Sequence, residues 1–404
     1  MNNSDIKLNA VSHRDTTYIQ TQGPPGIKSI FPSHQPSSHA TAQISSVQCS
    51  TSVDTGLFQK PGEYLEFVIP ARDLRIERLS LEVTVRNASL GNIIITTAFQ
   101  MVKKIDYFAG TTFLGSLDGL SGYFKHTMLL TDEHIMGLAE YTNVAVSEGI
   151  FNSYRATLTP GTTRVMMMPC TEMLHGLVPG FLSGALRMQV FLNTEGGWTS
   201  GSDSIEVAGA RLMMESALLG PAEAEEVRDV YRSGQLTHRY HEARLSRTLM
   251  SMVPGTKYRI PLQGLCGDFS VLWIASMLPI TTFAWATTTR DDIAQLYITD
   301  TTNQITLGGT ILDTAFLRYQ HATAYPSSFL MDNFVYPLTA SRSGYKDLVT
   351  GAHTGSLALT AKGETLNITT GSFTAPDYDR NLTIIGFAVC ALRVNANGTV
   401  TAFR

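Results

Sequence analysis

The chain has 404 residues, with 30 Lys and Arg against 34 Asp and Glu, for a net charge of −4. Apolar residues make up 43%, which excludes a disordered chain, and the length suits two domains or one large one. Charged residues make up only 16%, against roughly 25% in a typical soluble protein, and their near balance offers nothing to a polyanion, which argues against sequence-wide nucleic-acid binding. A surface so poor in charge must be polar through Ser, Thr, Asn and Gln, or partly covered by other subunits.

From Met1 to Ala10 there is no apolar run, and Asp5 and Lys7 interrupt the segment, so no secretory signal is expected. Residues 1–58 are rich in Ser, Thr, Gln, His and Pro, and no strand or helix period holds in them. They are expected to form an extended arm, with charges that nearly cancel.

After Pro61 the pattern turns to β. Leu79, Leu81, Val83 and Val85 alternate with Ser80, Glu82, Thr84 and Arg86, the period of a half-buried strand. Leu186, Met188, Val190 and Leu192 repeat it against Arg187, Gln189 and Phe191. Lys103–Phe108 and Thr112–Leu117 flank Ala109-Gly110 as a hairpin, and Ala391–Val394 and Thr399–Phe403 flank Asn397-Gly398 as another. Loops of very uneven length between many strands favour a sandwich or jelly roll over a propeller.

One helix interrupts this pattern. Pro221 opens it after Gly220, Glu223 stands in its first turn, and Ser233-Gly234 stop it. It lies mid-chain, where a linker between two domains belongs. The segment Gly62-Glu-Tyr-Leu-Glu-Phe-Val-Ile-Pro70 and the segment Gly255-Thr-Lys-Tyr-Arg-Ile-Pro261 share Gly, Tyr and Ile-Pro, and a strand pattern follows each, as in a duplicated β domain. The uncharged stretch Phe269–Thr289 has the length of a membrane span, but Pro279 and its threonines suit strand and loop better.

Chemistry-bearing groups are sparse. Cys49, Cys170, Cys266 and Cys390 are too far apart in sequence for a zinc knuckle or redox dithiol and are expected as buried thiols in a reducing compartment. Asn87, Asn367, Asn381 and Asn397 sit in acceptor contexts and, without a signal, are expected to be unglycosylated. His126 and His134 around Asp132-Glu133, and the pair His238 and His241, would need helices and a third ligand to hold a metal. Asp132-Glu133 and Asp291-Asp292 are neighbours in sequence rather than acids facing one bond, and are read as loop acids. Arg239, Arg244 and Arg247, interrupted by Glu242, are read as a salt-bridged strand or interface. No catalytic, cofactor-binding or metal-binding residue is assigned, and no enzyme motif is present.

Five blocks in order resemble the double jelly-roll major capsid proteins of DNA viruses, a lineage of tectivirus-like phages, adenoviruses, virophages, polinton-like elements and large nucleocytoplasmic viruses. They are Tyr64–Pro70 leading into Arg78–Val83; Ile105–Gly115 with Gly122-Tyr-Phe-Lys125; Met168-Pro169 through Gly184–Val190; Ala210–Leu219 with the acidic helix, Ile260–Leu262 and Ser270–Trp273; and Phe387–Val394 with Asn397-Gly398. The loops after Thr287 and Ser341 have no counterpart.

The resemblance implies an all-β protein of two tandem eight-stranded jelly rolls. The expected division is an arm at 1–58, a first jelly roll at 59–220, a linker helix at 221–236 and a second jelly roll at 237–404. It further implies pseudo-hexameric homotrimers tiling an icosahedral shell, with neighbouring capsomers and minor capsid or penton proteins as partners. The arm would order on assembly against those neighbours or an internal membrane. No sequence-specific nucleic acid and no cofactor are expected, and the protein would be made inside the host cell and end in the virion. The rival reading is a β-sandwich carbohydrate- or receptor-binding module, with Trp198, Trp285 and Tyr325 as candidate platforms.

Overall fold

The computed structural model describes residues 41–48, 64–147, 150–153, 156–193, 205–234, 237–262, 264–277, 293–300, 305–313, 319, 325–326, 335–341, 343, 345–350, 353–360, 363–371 and 378–404. The first twelve strands are β1 (Thr41–Gln48), β2 (Tyr64–Ile69), β3 (Leu74–Asn87), β4 (Ile93–Ile95), β5 (Val102–Ala109), β6 (Thr112–Asp118), β7 (Val144–Ser147), β8 (Ile150–Ser153), β9 (Ala156–Leu158), β10 (Thr163–Pro169), β11 (Leu186–Leu192) and β12 (Ile205–Leu218). The remainder are β13 (Thr237–Met252), β14 (Lys257–Pro261), β15 (Gly267–Met277), β16 (Ile293–Asp300), β17 (Ile305–Asp313), β18 (Val335–Thr339), β19 (Leu357–Leu359), β20 (Glu364–Thr370), β21 (Tyr378–Val394) and β22 (Val400–Phe403). Among the described residues they are accompanied by five α-helices: α1 (Ala98–Met101), α2 (Gly119–Leu129), α3 (Asp132–Thr142), α4 (Pro221–Arg232) and α5 (Lys346–Thr350).

The sheets show the duplication directly. The first half pairs its strands as β1-β12-β3-β10 and β2-β11-β5-β6, and the second as β13-β21-β15-β18 and β14-β20-β16-β17. With β4, β7–β9, β19 and β22 set aside as additions, each half orders its eight strands 1-8-3-6 in one sheet and 2-7-4-5 in the other. That is the jelly roll, made twice. The Ile-Pro repeat falls where it should, because β2 and β14 occupy the same edge position of their respective sheets.

Sequence alternation becomes burial alternation. In β11 every second residue from Leu186 to Leu192 is buried, and β3 buries Leu79, Leu81, Val83 and Val85. Both expected hairpins form, β5 against β6 and β21 against β22. The linker helix also forms, with Pro221 in its first turn, and the Gly220 N–H donates to Glu223 Oε2 at 3.2 Å. Gly234 takes φ +64°, a conformation that favours glycine at a helix stop.

Three expectations need correction. The stretch expected as an arm to residue 58 contributes a strand, for β1 pairs along its whole length with β12, from Thr41 opposite Leu218 to Gln48 opposite Arg211. It was not visible as a strand because only Val47 of its described side chains is buried, so the rest are polar or exposed. Second, helices are not confined to the linker. Gly122-Tyr-Phe-Lys125 lies in α2 and Asp132-Glu133 open α3, where Thr131 Oγ1 accepts from the His134 N–H at 3.4 Å. Third, Cys170 and Cys390 are buried but Cys266 is exposed, while Cys49 lies outside the described residues.

Of the stretch Phe269–Thr289, the described part runs to Met277 within β15, and among the described residues no helix is long and apolar enough to cross a membrane. Asn87 is buried, its amide donating to Leu158 O at 2.9 Å and Gly91 O at 2.8 Å, and Asn367 is buried too, whereas Asn397 is exposed in a turn.

Candidate functional site: the seam between the two jelly rolls

The long strand β13 opens the second jelly roll and runs beside β6 of the first. Its residues build the join. The Tyr240 hydroxyl donates to Leu114 O at 2.5 Å, and the Ser116 N–H donates to Glu242 Oε1 at 3.4 Å. Burial pushes the Tyr240 phenol well up from its ordinary value. Gly115 accommodates this approach, since a Cβ there would stand 3.0 Å from Glu242 Oε1.

Glu242 is the centre of the join. Its carboxylate is buried and accepts from Arg404 Nη2 at 2.5 Å, Arg404 Nε at 3.2 Å and Arg244 Nη2 at 3.2 Å. Two guanidiniums supply what burial takes from a carboxylate, the condition under which a buried charge is tolerated. Arg244 also donates to Cys266 O, and Arg404 stacks over the Phe113 ring of β6 at 4.6 Å. The Cys390 thiol lies 3.8 Å from Glu242 Oε2, and burial together with that carboxylate pushes it up to about 11. It is an inert packed thiol.

Further contacts extend the seam. Lys125 of α2 places its ammonium 5.4 Å from the Phe387 ring centroid while pairing with Glu172 at 2.6 Å. Arg247 reaches Asp118 at 3.9 Å, and Asp118 caps α2 by accepting from the Leu120 N–H at 2.8 Å. The linker helix is tied down by Tyr231, whose hydroxyl accepts from the Val178 N–H at 3.1 Å, and by Arg228 with Asp73 at 3.1 Å. The Asn397-Gly398 turn meets the first jelly roll where the Ser183 N–H donates to Gly398 O at 2.9 Å.

The reading of the basic run as a salt-bridged strand or interface therefore holds for Arg244 and Arg247, which pair with Glu242 and Asp118 respectively. Arg239 is half-buried on the same strand. Arg404 and Tyr240 were not singled out, and Lys125 and Phe387 stood only within the resemblance blocks without a role at the seam, because their partners lie far away in sequence and no local pattern announces them.

Among the described residues the weaker candidates are not brought together into a site. His238 and His241 lie on β13 rather than on a helix, where residues three apart face opposite sides. His241 Nε2 lies 2.9 Å from Ser270 Oγ. His126 is buried against Phe99, ring centroids 5.1 Å apart, whereas His134 Nδ1 lies 2.7 Å from Thr131 Oγ1 on the exposed start of α3. Asp132 and Glu133 are not loop acids but occupy the first turn of that helix. Among the described residues no group of three His, Cys, Asp or Glu stands ready for a metal. Asp291-Asp292, Trp198 and Trp285 lie outside the described residues. Tyr325 is no exposed platform: it is buried, stacks on Tyr345 at 4.6 Å and accepts from Trp273 Nε1 at 3.0 Å.

Two jelly rolls of identical strand order in one chain make a double jelly-roll fold. Solved structures share it. The Faustovirus major capsid protein superposes with a TM-score of 0.64 at 8% identity, covering 97% of this chain and 98% of its own. The quasi-atomic model of the PBCV-1 virus capsid gives 0.63 at 11%, covering 91% and 98%. The cryo-electron microscopy structure of the Sputnik virophage gives 0.56 at 9%, covering 91% and 89%. At such identities the likeness is one of fold. No family model matches the sequence, and no curated protein matches it.

Proposed function

We propose that this chain is the major capsid protein of an icosahedral DNA virus and that it acts by assembly. The observation that carries the reading is the repeated strand order of the two halves, joined in one chain. A fold does not fix a function, but this one supplies a specific geometry. Three chains in a closed ring present six similar β units, which suits a hexagonal lattice position. The low charge content fits a protein that buries much of its surface between subunits, since interface cores are depleted of charge.

In this reading the first jelly roll begins at Thr41, α4 is the linker, and residues before Thr41 reach neighbouring capsomers or an internal membrane. Partners are copies of the same chain together with minor capsid or penton proteins. The site of action is the virion, after synthesis inside the host cell. No catalytic step and no cofactor is assigned. Sequence-specific nucleic-acid binding is not part of the proposal, consistent with the net charge of −4. Negative-stain electron microscopy of the purified protein provides the test. Six-lobed particles with threefold symmetry are expected, and isolated two-lobed particles at every concentration contradict the reading.

A further inference from the structure

The Asn397-Gly398 turn carries a chemistry that assembly does not use. It joins β21 to β22 and is held from outside. The Ser183 N–H of the first jelly roll donates to Gly398 O at 2.9 Å. Gly234, at the stop of the linker helix, lies so near that a Cβ there would stand 2.9 Å from Ala396 N, and Arg393 Nε donates to Gly234 O at 3.2 Å. Within the turn the Asn395 N–H donates to Thr399 O and the Gly398 N–H to Asn395 O, both at 2.8 Å. Gly398 has φ +79°, and a Cβ there would stand 2.8 Å from Ser183 N, so the position calls for glycine. The turn therefore sits where both jelly rolls and the linker meet.

An asparagine followed by glycine can close a ring on itself. The Gly398 nitrogen attacks Asn397 Cγ, a C–N bond forms, and Nδ2 leaves as ammonia with the proton that the Gly398 nitrogen gives up. Water then opens the five-membered imide. Attack at Cγ leaves aspartate. Attack at the main-chain carbonyl leaves isoaspartate, in which the chain runs through the former side chain and is one carbon longer. One water is consumed, one ammonia is released and nothing is oxidised or reduced. Asn397 is exposed, and its Oδ1 accepts from the Thr399 N–H at 3.1 Å and the Thr399 hydroxyl at 2.6 Å. Two donors on that oxygen steady the negative charge it takes up during attack. The nucleophile is what the closed turn withholds, because the Gly398 N–H is engaged by Asn395 O and Ser183 fixes the residue that carries it.

We propose that Asn397-Gly398 is a self-modification site gated by the junction of the two jelly rolls. While the junction is closed the ring step is suppressed. When it opens locally, Asn397 converts, and isoaspartate hinders reclosure by moving Gly398 O away from Ser183. Strand β22 follows the turn and leads to Arg404, the partner of Glu242, so the change reaches the buried ion cluster.

Ageing the purified full chain for days at mildly alkaline pH tests this. Peptide mass mapping reads the conversion of Asn397, and chromatography separates the aspartate and isoaspartate forms. A synthetic peptide of residues 392–401 gives the ungated rate. The wild-type chain is expected to convert about tenfold or more slowly than the peptide. Ser183→Pro, which removes the N–H that holds Gly398, is expected to convert faster than wild type. Circular dichroism checks that the variant is folded. Should it not fold, wild type in urea below its unfolding transition takes its place, with the same acceleration expected. Wild type converting at the peptide rate overturns the gate, and so does a variant, or a chain in urea, that converts no faster than wild type. Aged wild type is further expected to melt lower than fresh protein. Asn397→Gln, whose longer side chain disfavours the five-membered ring, is expected to keep its midpoint. A converted wild type that melts like fresh protein, or an equal loss in Asn397→Gln, overturns the effect on the junction.

Discussion

Glu242 shows how a single side chain joins the two halves. Its carboxylate is buried and held by Arg404 and Arg244, so removing it takes the carboxylate acceptor from both guanidiniums and leaves Arg244 with Cys266 O. Breaking a buried pair in this way costs about 3 kcal/mol. Glu242→Ala is therefore expected to lower stability by about that amount in urea unfolding. A loss below about 0.5 kcal/mol would mean that the seam does not depend on it. His126 is a second buried polar group, and its ring nitrogens have no hydrogen-bond partner among the described residues. Burial pushes its pKa down to about 4. In the unfolded chain the ring titrates near its ordinary value of about 6.5, so below that pH the unfolded state takes up a proton that the folded state refuses. Its share of stability is thus intact above about pH 6.5 and is lost progressively as pH falls towards 4. Between pH 7 and 5 the loss from this group is about 2 kcal/mol, and His126→Met is expected to remove it from the urea-derived stability profile. An unchanged profile would show that His126 titrates normally.

At the scale of elements, the alternating strands β3 and β11 were legible because one face of each is buried, and the linker helix because its Pro, Glu and Gly occupy the right positions. The helix α2 was not legible. Nearly all its residues are buried, including Gly119, Gly122, Tyr123 and Phe124, so no apolar stripe at helical spacing stands out. Gly119 is there for a close approach, since a Cβ would lie 2.2 Å from Phe99 O and Val102 O. Gly119→Ala is expected to destabilise by about 2 kcal/mol or more through that clash, read as a lowered thermal midpoint. Strand β1 escaped detection because Ser45, Ser46, Gln43 and Gln48 dominate it and its stability comes from pairing with β12. A chain lacking residues 1–40 is accordingly expected to keep the wild-type melting temperature, whereas one lacking 1–48 loses β1 and should melt about 5 °C or more lower. Equal midpoints for the two truncations would contradict the place of β1 in the first sheet.

For the whole molecule, the sequence carried its architecture more openly than its joins. The all-β pattern, the central helix and the repeated Ile-Pro strand pointed to two similar β domains, the family resemblance implied two tandem jelly rolls, and the sheet orders agree. The ion cluster at the seam was half legible: Glu242, Arg244 and Arg247 stood together in the sequence, but Arg404 is brought to Glu242 from 162 residues away by tertiary folding. Assembly is the central claim, and the mass of the purified chain in solution tests it most directly. Light scattering over a range of dilutions is predicted to give a stable species at three times 44.1 kDa. A monomer at all concentrations would contradict the account.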